Sequence, residues 1–549
     1  MNLLARPLAI VAALALGLIA LSAKPAMAQS NENQAAVVIS LAGIDEQLKD
    51  VNYLSDAAGF GRLGGMIINS QAEEYLKGVD TERAIGLFVH IDEDNVEEPT
   101  IVGVVPVSDY DEVLDTLSMA GDVDDSGDID VIAMPTGEDM FIFEKGGYAI
   151  FSNVKEALDW APSNVAKELG DMPKNYNIAA KIFPQRIPES LREQALEAME
   201  EGYARSLEES GADGDDLQQK SFEMQMAQME SLINETEHMT IGFAANKEES
   251  AIYFDFEIIG AEGSQLAKSA AAQKDMPKSR FNGFRAKNAM MTLNSTGKIL
   301  ESDKESLRGL IAGFKSQIQE EMDLENADTD EAAVGKEFVD SLFEVLDDTI
   351  NAGISDGGLV VMGGNAPALA GGFHAVNADK LERSFKKLAE MANESGEMEV
   401  EINAESLNGV KLHRASIPVP ESEEEMQELF GDTLDILIGV DSKTVYVAAG
   451  DNCYDLLKKC VNNSTSAKQG RSVEMNLYLS SMLEMLGSVE SEEMMQEMAD
   501  VLKESGKDRI SIWSENVKNG TKARFEVQDG VLKLIAIAAE QFGGAFGGF

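Results

Sequence analysis

Cysteine, histidine and basic residues are scarce in this chain. Its 549 residues include two cysteines and four histidines, and 45 Lys and Arg stand against 97 Asp and Glu. The histidines show no HExxH or HxH spacing, so the sequence does not indicate a zinc or copper site. Because phosphate backbones bind to basic surfaces, we do not expect a nucleic acid partner.

The two cysteines lie close together in the segment NCYDLLKKC, which reads as a helix. At a rise of 1.5 Å per residue, the Cα atoms of Cys453 and Cys460 would be about 10 Å apart, beyond the reach of a disulfide. We therefore predict two packed thiols. A bridge across a non-helical loop is the alternative in an oxidising compartment.

Long apolar runs are confined to the N-terminus. Residues 1–28 hold Arg6, an apolar run over 8–21 and the small-x-small sequence of residues 26–28, a pattern typical of a cleavable signal peptide. No later run approaches the roughly 18 residues needed to cross a bilayer. We expect a secreted or periplasmic chain that starts near Gln29 and has no transmembrane segment, unless the leader is kept as an anchor.

Acidic residues dominate the composition. Loss of the leader would remove Arg6 and Lys24 but no acid, so the formal charge of −52 would become −54. Such a surface repels anionic headgroups, and cations must screen its internal repulsion. We expect a cation-rich setting, with divalent cations as candidate partners. A generally acidic secreted protein without a cation site is the plainer interpretation.

The chain contains a long internal repeat. The matching segments share one offset of 269 residues: Asp125–Val131 with Glu394–Val400, Ile241 with Ile510, and Phe256 with Phe525. Self-similarity over such a period indicates a tandem duplication. We predict module one over residues 29–275, module two over 276–541 and a flexible Gly/Phe tail over 542–549.

Short apolar strands and amphipathic helices alternate within each predicted module. The segment 141–151, FIFEKGGYAIF, predicts an antiparallel hairpin closed at Lys145, Gly146 and Gly147. Alternation in IYFDFEI predicts one strand face that carries Ile252, Phe254, Phe256 and Ile258. The expected fold is α+β, with two tandem homologous modules, each a mainly antiparallel sheet covered by helices on one face.

An aspartate-rich turn resembles the start of a calcium loop. Its candidate ligands are Asp122, Asp124, Ser126, Asp128 and Asp130. The twelfth position, which should supply a bidentate acid, is alanine, and the second copy of the turn lacks the spaced aspartates. We interpret the shared part as a glycine helix cap followed by strand entry, with a weak surface calcium site as the alternative. No other metal and no cofactor is predicted.

Two glycine patterns resemble catalytic or nucleotide motifs but stand in the wrong context. The GxGxxG of residues 59–64 follows a helix and not a strand, so it does not build a pyrophosphate crevice. The GxSxG of residues 353–357 leaves a helix and enters a strand, the reverse of a nucleophile elbow. We therefore predict no catalytic residue. A hydrolase with an unrecognised carboxylate pair in a cleft remains an alternative.

Methionine is enriched on one helical stripe of each copy. The residues at these positions are Phe222, Met226 and Met229 in the first copy, and Met495 and Met498 in the second. Thioether side chains adapt to varied apolar shapes, so the stripes are candidate apolar-ligand surfaces. They also suit ordinary core packing, which is the other interpretation.

The segments VVISLAGIDEQLKDVNYLSDAAGF and PVSDYDEVLDTL, with the leader and paired modules, resemble a family of secreted bacterial proteins of unknown function. That resemblance implies no catalytic residue, cofactor or substrate. We expect a secreted, non-enzymatic binding or envelope-associated protein that holds an apolar ligand at its sheet faces and Met-bearing helices. A self-associating envelope protein bridged by divalent cations, and the hydrolase, are the alternatives.

Overall fold

The structure is a computed structural model. It describes residues 34–57, 75–93, 95–119, 121–134, 137, 139–210, 226, 229–275, 278–286, 289–321, 330–364, 367–395, 398–420, 422–466, 471–490 and 493–542. The predicted signal peptide, the tail after Phe542 and the GxGxxG segment lie outside the described residues. Among those that are described, no helix is both long and apolar enough to span a bilayer.

Contacts divide the chain into two compact units. The first unit holds the described residues of 1–209, 228–267 and 532–549. The second holds those of 210–227 and 268–531. Each unit contains one antiparallel sheet, and each is described below by itself.

The described strands of the first unit are β1 Val37–Leu41, β2 Ile85–Asp92, β3 Asn95–Pro106, β4 Asp122–Asp124, β5 Asp130–Ala133, β6 Asp139–Glu144, β7 Tyr148–Ser152, β8 Ile178–Ile182, β9 Thr236–Asn246 and β10 Ala251–Gly260. They pair in the order β4-β5-β6-β7-β3-β2-β1-β8-β9-β10, and every pair is antiparallel.

The helices up to residue 275 are α1 Ile44–Ala57, α2 Tyr110–Leu117, α3 Val165–Leu169, α4 Met172–Asn175, α5 Glu189–Ser210 and α6 Gln265–Ala272, with 3₁₀ turns at Lys155–Trp160, Pro184–Arg186 and Gln273–Asp275. Local chemistry sets their starts. At α2, the Asp109 side chain accepts a hydrogen bond from the Glu112 amide at 3.2 Å, which satisfies one of the free donors of the first turn.

Both sides of the first sheet carry apolar cores. On side A, the first 3₁₀ turn, α3 and α4 pack on a cluster that includes Phe88, Val104 and Ile150. On side B, α2 packs on a cluster that includes Leu87 and Phe151. Since adjacent residues in a strand point to opposite sides, Leu87 and Phe88 mark the two cores.

The described strands of the second unit are β11 Ala289–Lys298, β12 Ile354–Met362, β13 Ala368–His374, β14 Glu399–Leu407, β15 Val410–Pro418, β16 Thr433–Asp441, β17 Thr444–Gly450, β18 Val473–Tyr478, β19 Arg509–Val517 and β20 Gly520–Gln528. Their order is β14-β15-β16-β17-β13-β12-β11-β18-β19-β20, again antiparallel throughout. Position by position, this order matches that of the first unit.

The helices after residue 275 are α7 Glu301–Glu321, α8 Asp330–Ala352, α9 Asp379–Ser395, α10 Glu424–Phe430, α11 Cys453–Ser466, α12 Leu479–Glu490, α13 Glu493–Ser505 and α14 Asp529–Phe542. Helix α11 packs on side A of the second sheet through Leu457 and its neighbours. Helices α8 and α9 pack on side B, through Val345 and Leu381. Phe542, predicted to begin the tail, is the last residue of α14.

The prediction of an α+β fold with antiparallel sheets is confirmed. The prediction that helices cover one face is wrong, because both sides of each sheet carry helices. Sequence alternation could not reveal this, since strands such as β2 and β7 are apolar on both sides.

Two local predictions are confirmed. The hairpin β6–β7 closes at residues 145–147, where Gly146 and Gly147 have φ of 63° and 73°, a left-handed conformation that suits glycine. Cys453 and Cys460 are both buried free thiols on α11. Burial raises the pKa of the Cys460 thiol to about 11, which keeps it protonated and unreactive.

The last hairpin of each unit differs in its loop. In the first unit Ile241 pairs with Phe256, and residues 247–250 form a four-residue turn. In the second unit Ile510 pairs with Val527, because the turn has only two residues, Lys518 and Asn519. Residues that lie 269 positions apart in the sequence therefore do not occupy equivalent positions on both strands of this hairpin.

His90 is a titratable group buried inside the first unit. Its side chain is 7% exposed, and both ring nitrogens lack a partner among the described residues. The ring lies 5.0 Å from that of Trp160. Burial, with a smaller contribution from the nearby Arg186 charge, lowers the pKa of His90 to about 4.

We expect His90 to make the first unit sensitive to acid. In the unfolded chain its pKa is near 6.5, so the stability it contributes is present above that pH and is lost as pH falls toward 4. In the His90→Phe variant, the free energy of unfolding should change less steeply with pH, by up to about 1.4 kcal/mol per pH unit. Urea unfolding at pH 7, 6, 5 and 4, followed by Trp160 fluorescence in a Trp513→Phe background, measures it. Equal pH dependence with and without His90 would contradict the prediction.

Candidate functional site

Strand β10 places its apolar residues toward solvent. Phe254 and Phe256 are 47% and 40% exposed, while Tyr253 and Asp255 between and beside them are buried. The predicted apolar face of this strand therefore exists, but it is the open side of the sheet. Polar residues are usually exposed and apolar residues buried, so this part of β10 shows the reverse of the usual arrangement.

The neighbouring strands extend this apolar surface. Phe243 on β9 lies opposite both Phe254 and Ile178, and Ile241 lies opposite Phe256. Ile178 and Ile241 are 42% and 44% exposed. The rings of Phe243 and Phe254 are 5.0 Å apart. We call these five residues on side B the first open face.

Polar groups lie beneath the first open face, on side A. The Tyr176 hydroxyl donates a hydrogen bond to the buried Asp255 carboxylate at 2.9 Å. The Tyr253 hydroxyl donates to the Asn175 carbonyl at 3.2 Å. A buried carboxylate is costly unless it is hydrogen bonded, so Tyr176 helps to keep Asp255 inside and Phe254 and Phe256 outside.

The second unit has an equivalent surface on side B. Ile512 on β19 lies opposite Phe525 on β20 and Met475 on β18. Ile512, Phe525 and Val473 are 42%, 40% and 37% exposed. We call these four residues the second open face. They lie on strands that occupy the same places in the strand order as β8, β9 and β10.

Buried polar groups underlie the second open face as well. The Ser511 hydroxyl donates to the Asn476 side-chain oxygen at 2.8 Å, and the Asn476 amide donates to the Thr292 hydroxyl at 3.2 Å. All three residues are buried on side A. The two units therefore share the same reversal, polar side chains inside and apolar side chains outside, at matching strands.

The open faces occupy only part of side B. In the first unit, α2 covers side B over the outer strands, where Val113 contacts the core that includes Ile132. In the second unit, α8 and α9 do so over β16 and β17. Each sheet is thus closed at one end of side B and open at the other.

The residues of the predicted methionine surface differ in how exposed they are. Phe222 lies outside the described residues, Met226 is half-buried and Met229 is 38% exposed. Met495 and Met498 are half-buried on α13. Met495 packs against Gly487 of α12, where an added Cβ would lie 3.3 Å from that of Met495. This contact is one of core packing between helices.

The candidate calcium residues lie on the β4–β5 hairpin and its turn. The Asp124 carboxylate accepts a hydrogen bond from the Ser126 amide at 3.1 Å. Hydrogen bonds from the Ser126 side chain and from this amide lower the pKa of Asp124. The Asp130 carboxylate instead accepts from the Tyr110 hydroxyl at 2.6 Å. Within the described part of the chain, no three His, Cys, Asp or Glu side chains group in a way that could hold a metal ion.

Of the two glycine motifs, the GxSxG segment lies among the described residues. Gly353 stands between the end of α8 and the start of β12, so the GxSxG segment runs from helix to strand as predicted. Burial raises the pKa of the Asp50 carboxyl in the first unit and of the Asp356 carboxyl in the second. These two groups lie in different units.

The sequence predicted that the apolar residues of β10 share one face, but it did not predict that this face is exposed to solvent. The signal available was Asp255, an acid placed among residues that pack inward. Strand β8 gave no comparable signal, because its exposed Ile178 is followed by two alanines.

No protein-family model, curated protein or solved structure matches this chain.

We expect the support beneath the first open face to be sensitive to added volume. A Cβ at Gly242 would lie 2.5 Å from the Tyr176 ring. Gly242→Ala should therefore displace Tyr176 from Asp255 and destabilise the first unit by about 1–3 kcal/mol. Gly202→Ala, in α5, meets nothing within 4 Å and should be neutral or stabilising. Urea unfolding compares the two, and an unchanged midpoint for Gly242→Ala would argue against this role of Tyr176.

Proposed function

We propose that this chain is an exported, non-enzymatic binding protein that holds an uncharged apolar molecule against the open face of each unit. One observation carries the proposal. In both units three adjacent strands expose apolar side chains on side B while they bury hydrogen-bonded polar side chains on side A. Contiguous exposed apolar surface of this kind is typical of binding sites.

The energetic case rests on surface removed from water. Full burial of a Phe side chain contributes about 2 kcal/mol, so covering the exposed part of Phe254 or Phe256 contributes about 1 kcal/mol each. The first open face offers four such exposed side chains and the second offers three. Coverage of either face would therefore favour a bound apolar molecule by a few kcal/mol before the entropy of binding is counted.

The charge of the chain supports an uncharged occupant. A formal charge of −52, or −54 without the leader, repels anionic headgroups, fatty acid carboxylates and a second copy of the chain. A neutral hydrocarbon-rich molecule or an apolar envelope component is not repelled. The same charge disfavours the alternative of self-association unless divalent cations screen it.

Tandem duplication is part of this proposal. The equal strand orders of the two sheets support it, and so do the shared positions of the two open faces in those orders. Two copies of one ancestral module would explain why the chain carries two surfaces of the same chemistry.

We expect an uncharged fluorescent probe, N-phenyl-1-naphthylamine, to bind both open faces. Phe254→Ser with Phe256→Ser removes most apolar contact in the first unit, and Ile512→Ser with Phe525→Ser does so in the second. Each double variant should lose about half of the probe-binding capacity, and the quadruple variant nearly all of it. Loss of roughly 1 kcal/mol per residue corresponds to about fivefold in affinity.

Phe314→Ser is the matched control, since Phe314 is 62% exposed on α7 and belongs to neither open face. It should leave probe binding unchanged. Circular dichroism of every variant checks that the fold is retained. Equal binding by the quadruple variant and the unmodified chain would refute the proposal.

Native mass spectrometry of protein purified from its host tests the remaining parts. A mature chain that starts near Gln29 and carries an extractable neutral lipid is the expected result. A ligand-free mass, together with calcium-dependent assembly in sedimentation velocity, would favour the cation-bridged envelope protein instead.

A further inference from the structure

A cavity of about 1100 Å³ lies within the second unit, on side A of its sheet. Its floor is formed by Tyr478, Arg509 and Gln528 at the ends of β18, β19 and β20. Side chains of α11, α12 and α13 also line it. Because side chains alternate along a strand, this floor faces away from the second open face, and the two sites are independent.

Part of the charged lining is already committed to hydrogen bonds and ion pairs. Arg509 binds Glu526 at 2.7 Å through Nη2, and Lys503 forms an ion pair with Glu484. The Arg509 Nε is buried and has no hydrogen-bond partner in the described part of the chain, so it is closed to a molecule in the cavity.

Three lining groups around the start of α11 are not committed. Asp451 and Asp455 both line the cavity, and so does Lys459 one turn further along. Within the described residues, none of these three side chains makes a hydrogen bond or an ion pair. The opposite side of the helix, with Leu457 and Cys460, packs in the core. Uncommitted charges of both signs therefore line one wall.

We propose that this cavity binds a small zwitterion with an ammonium group and a carboxylate at opposite ends, such as an amino acid or a short peptide. The ammonium group would pair with Asp451 and Asp455, and the carboxylate with Lys459. A zwitterion carries no net charge, so the negative field of the chain does not repel it as it would repel an anion. Asp455 and Lys459 are separated by about 6 Å along the helix, and the ends of a dipeptide by up to about 7 Å.

Three related probes separate the contributions of the two charges. Alanyl-alanine carries both charges, its amide carries only the ammonium group, and its N-acetyl form carries only the carboxylate. Calorimetric titration should give the tightest binding for alanyl-alanine. Each blocked form should bind about threefold or more weakly, the effect of losing one partly exposed charge pair.

Single substitutions assign each end of the probe. Asp455→Asn should weaken alanyl-alanine and its amide but not the N-acetyl form, whereas Lys459→Gln should weaken alanyl-alanine and the N-acetyl form but not the amide. The matched controls, Asp500→Asn on α13 and Lys458→Gln on α11, lie outside the lining and should change nothing. Binding of none of the probes, equal binding of all three, or equal loss in the controls would overturn the proposal.

Discussion

The two-residue alternation of antiparallel strands is the constraint on which this molecule depends. Each strand must send one set of side chains to side A and the other to side B, and the register of its neighbours extends that choice across the sheet. In β10 the set on side A includes the buried Asp255. The hydrogen bond to Tyr176 holds Asp255 on side A. Because adjacent side chains alternate, Phe254 and Phe256 must then point to side B, where they are exposed to solvent. The open face is therefore a consequence of how polar groups are satisfied on the opposite side.

The acidic composition and the open faces complement each other. Exposed apolar surface favours self-association, and a strong charge of one sign opposes it. A chain of formal charge −52 can keep apolar side chains in water without clustering, as long as salt does not screen that charge completely. We therefore expect self-association through the exposed strands to depend on the salt concentration.

The two sheets share a strand order but differ in detail. Their last hairpins have four-residue and two-residue turns. Among the described helices, α2 packs on side B in the first unit, and α8 and α9 do so in the second. The cavity proposed to bind a zwitterion is lined by charged residues of α11 that face away from the core, and it lies on side A. One architecture thus offers an apolar surface on one side of a sheet and a charged cavity on the other, because alternation separates the two chemistries.

Sequence patterns alone determined the α+β class, the glycine hairpin of β6 and β7, the helical placement of Cys453 and Cys460 and the apolar set on β10. These features depend on residues close together in the chain, where periodicity and turn chemistry act directly. Only the tertiary structure decided which side of each sheet is open, and it corrected the expectation of helices on one face. Burial of a strand side depends on which distant helix packs there, as α8 does over β16 and β17, and no local pattern contains that information.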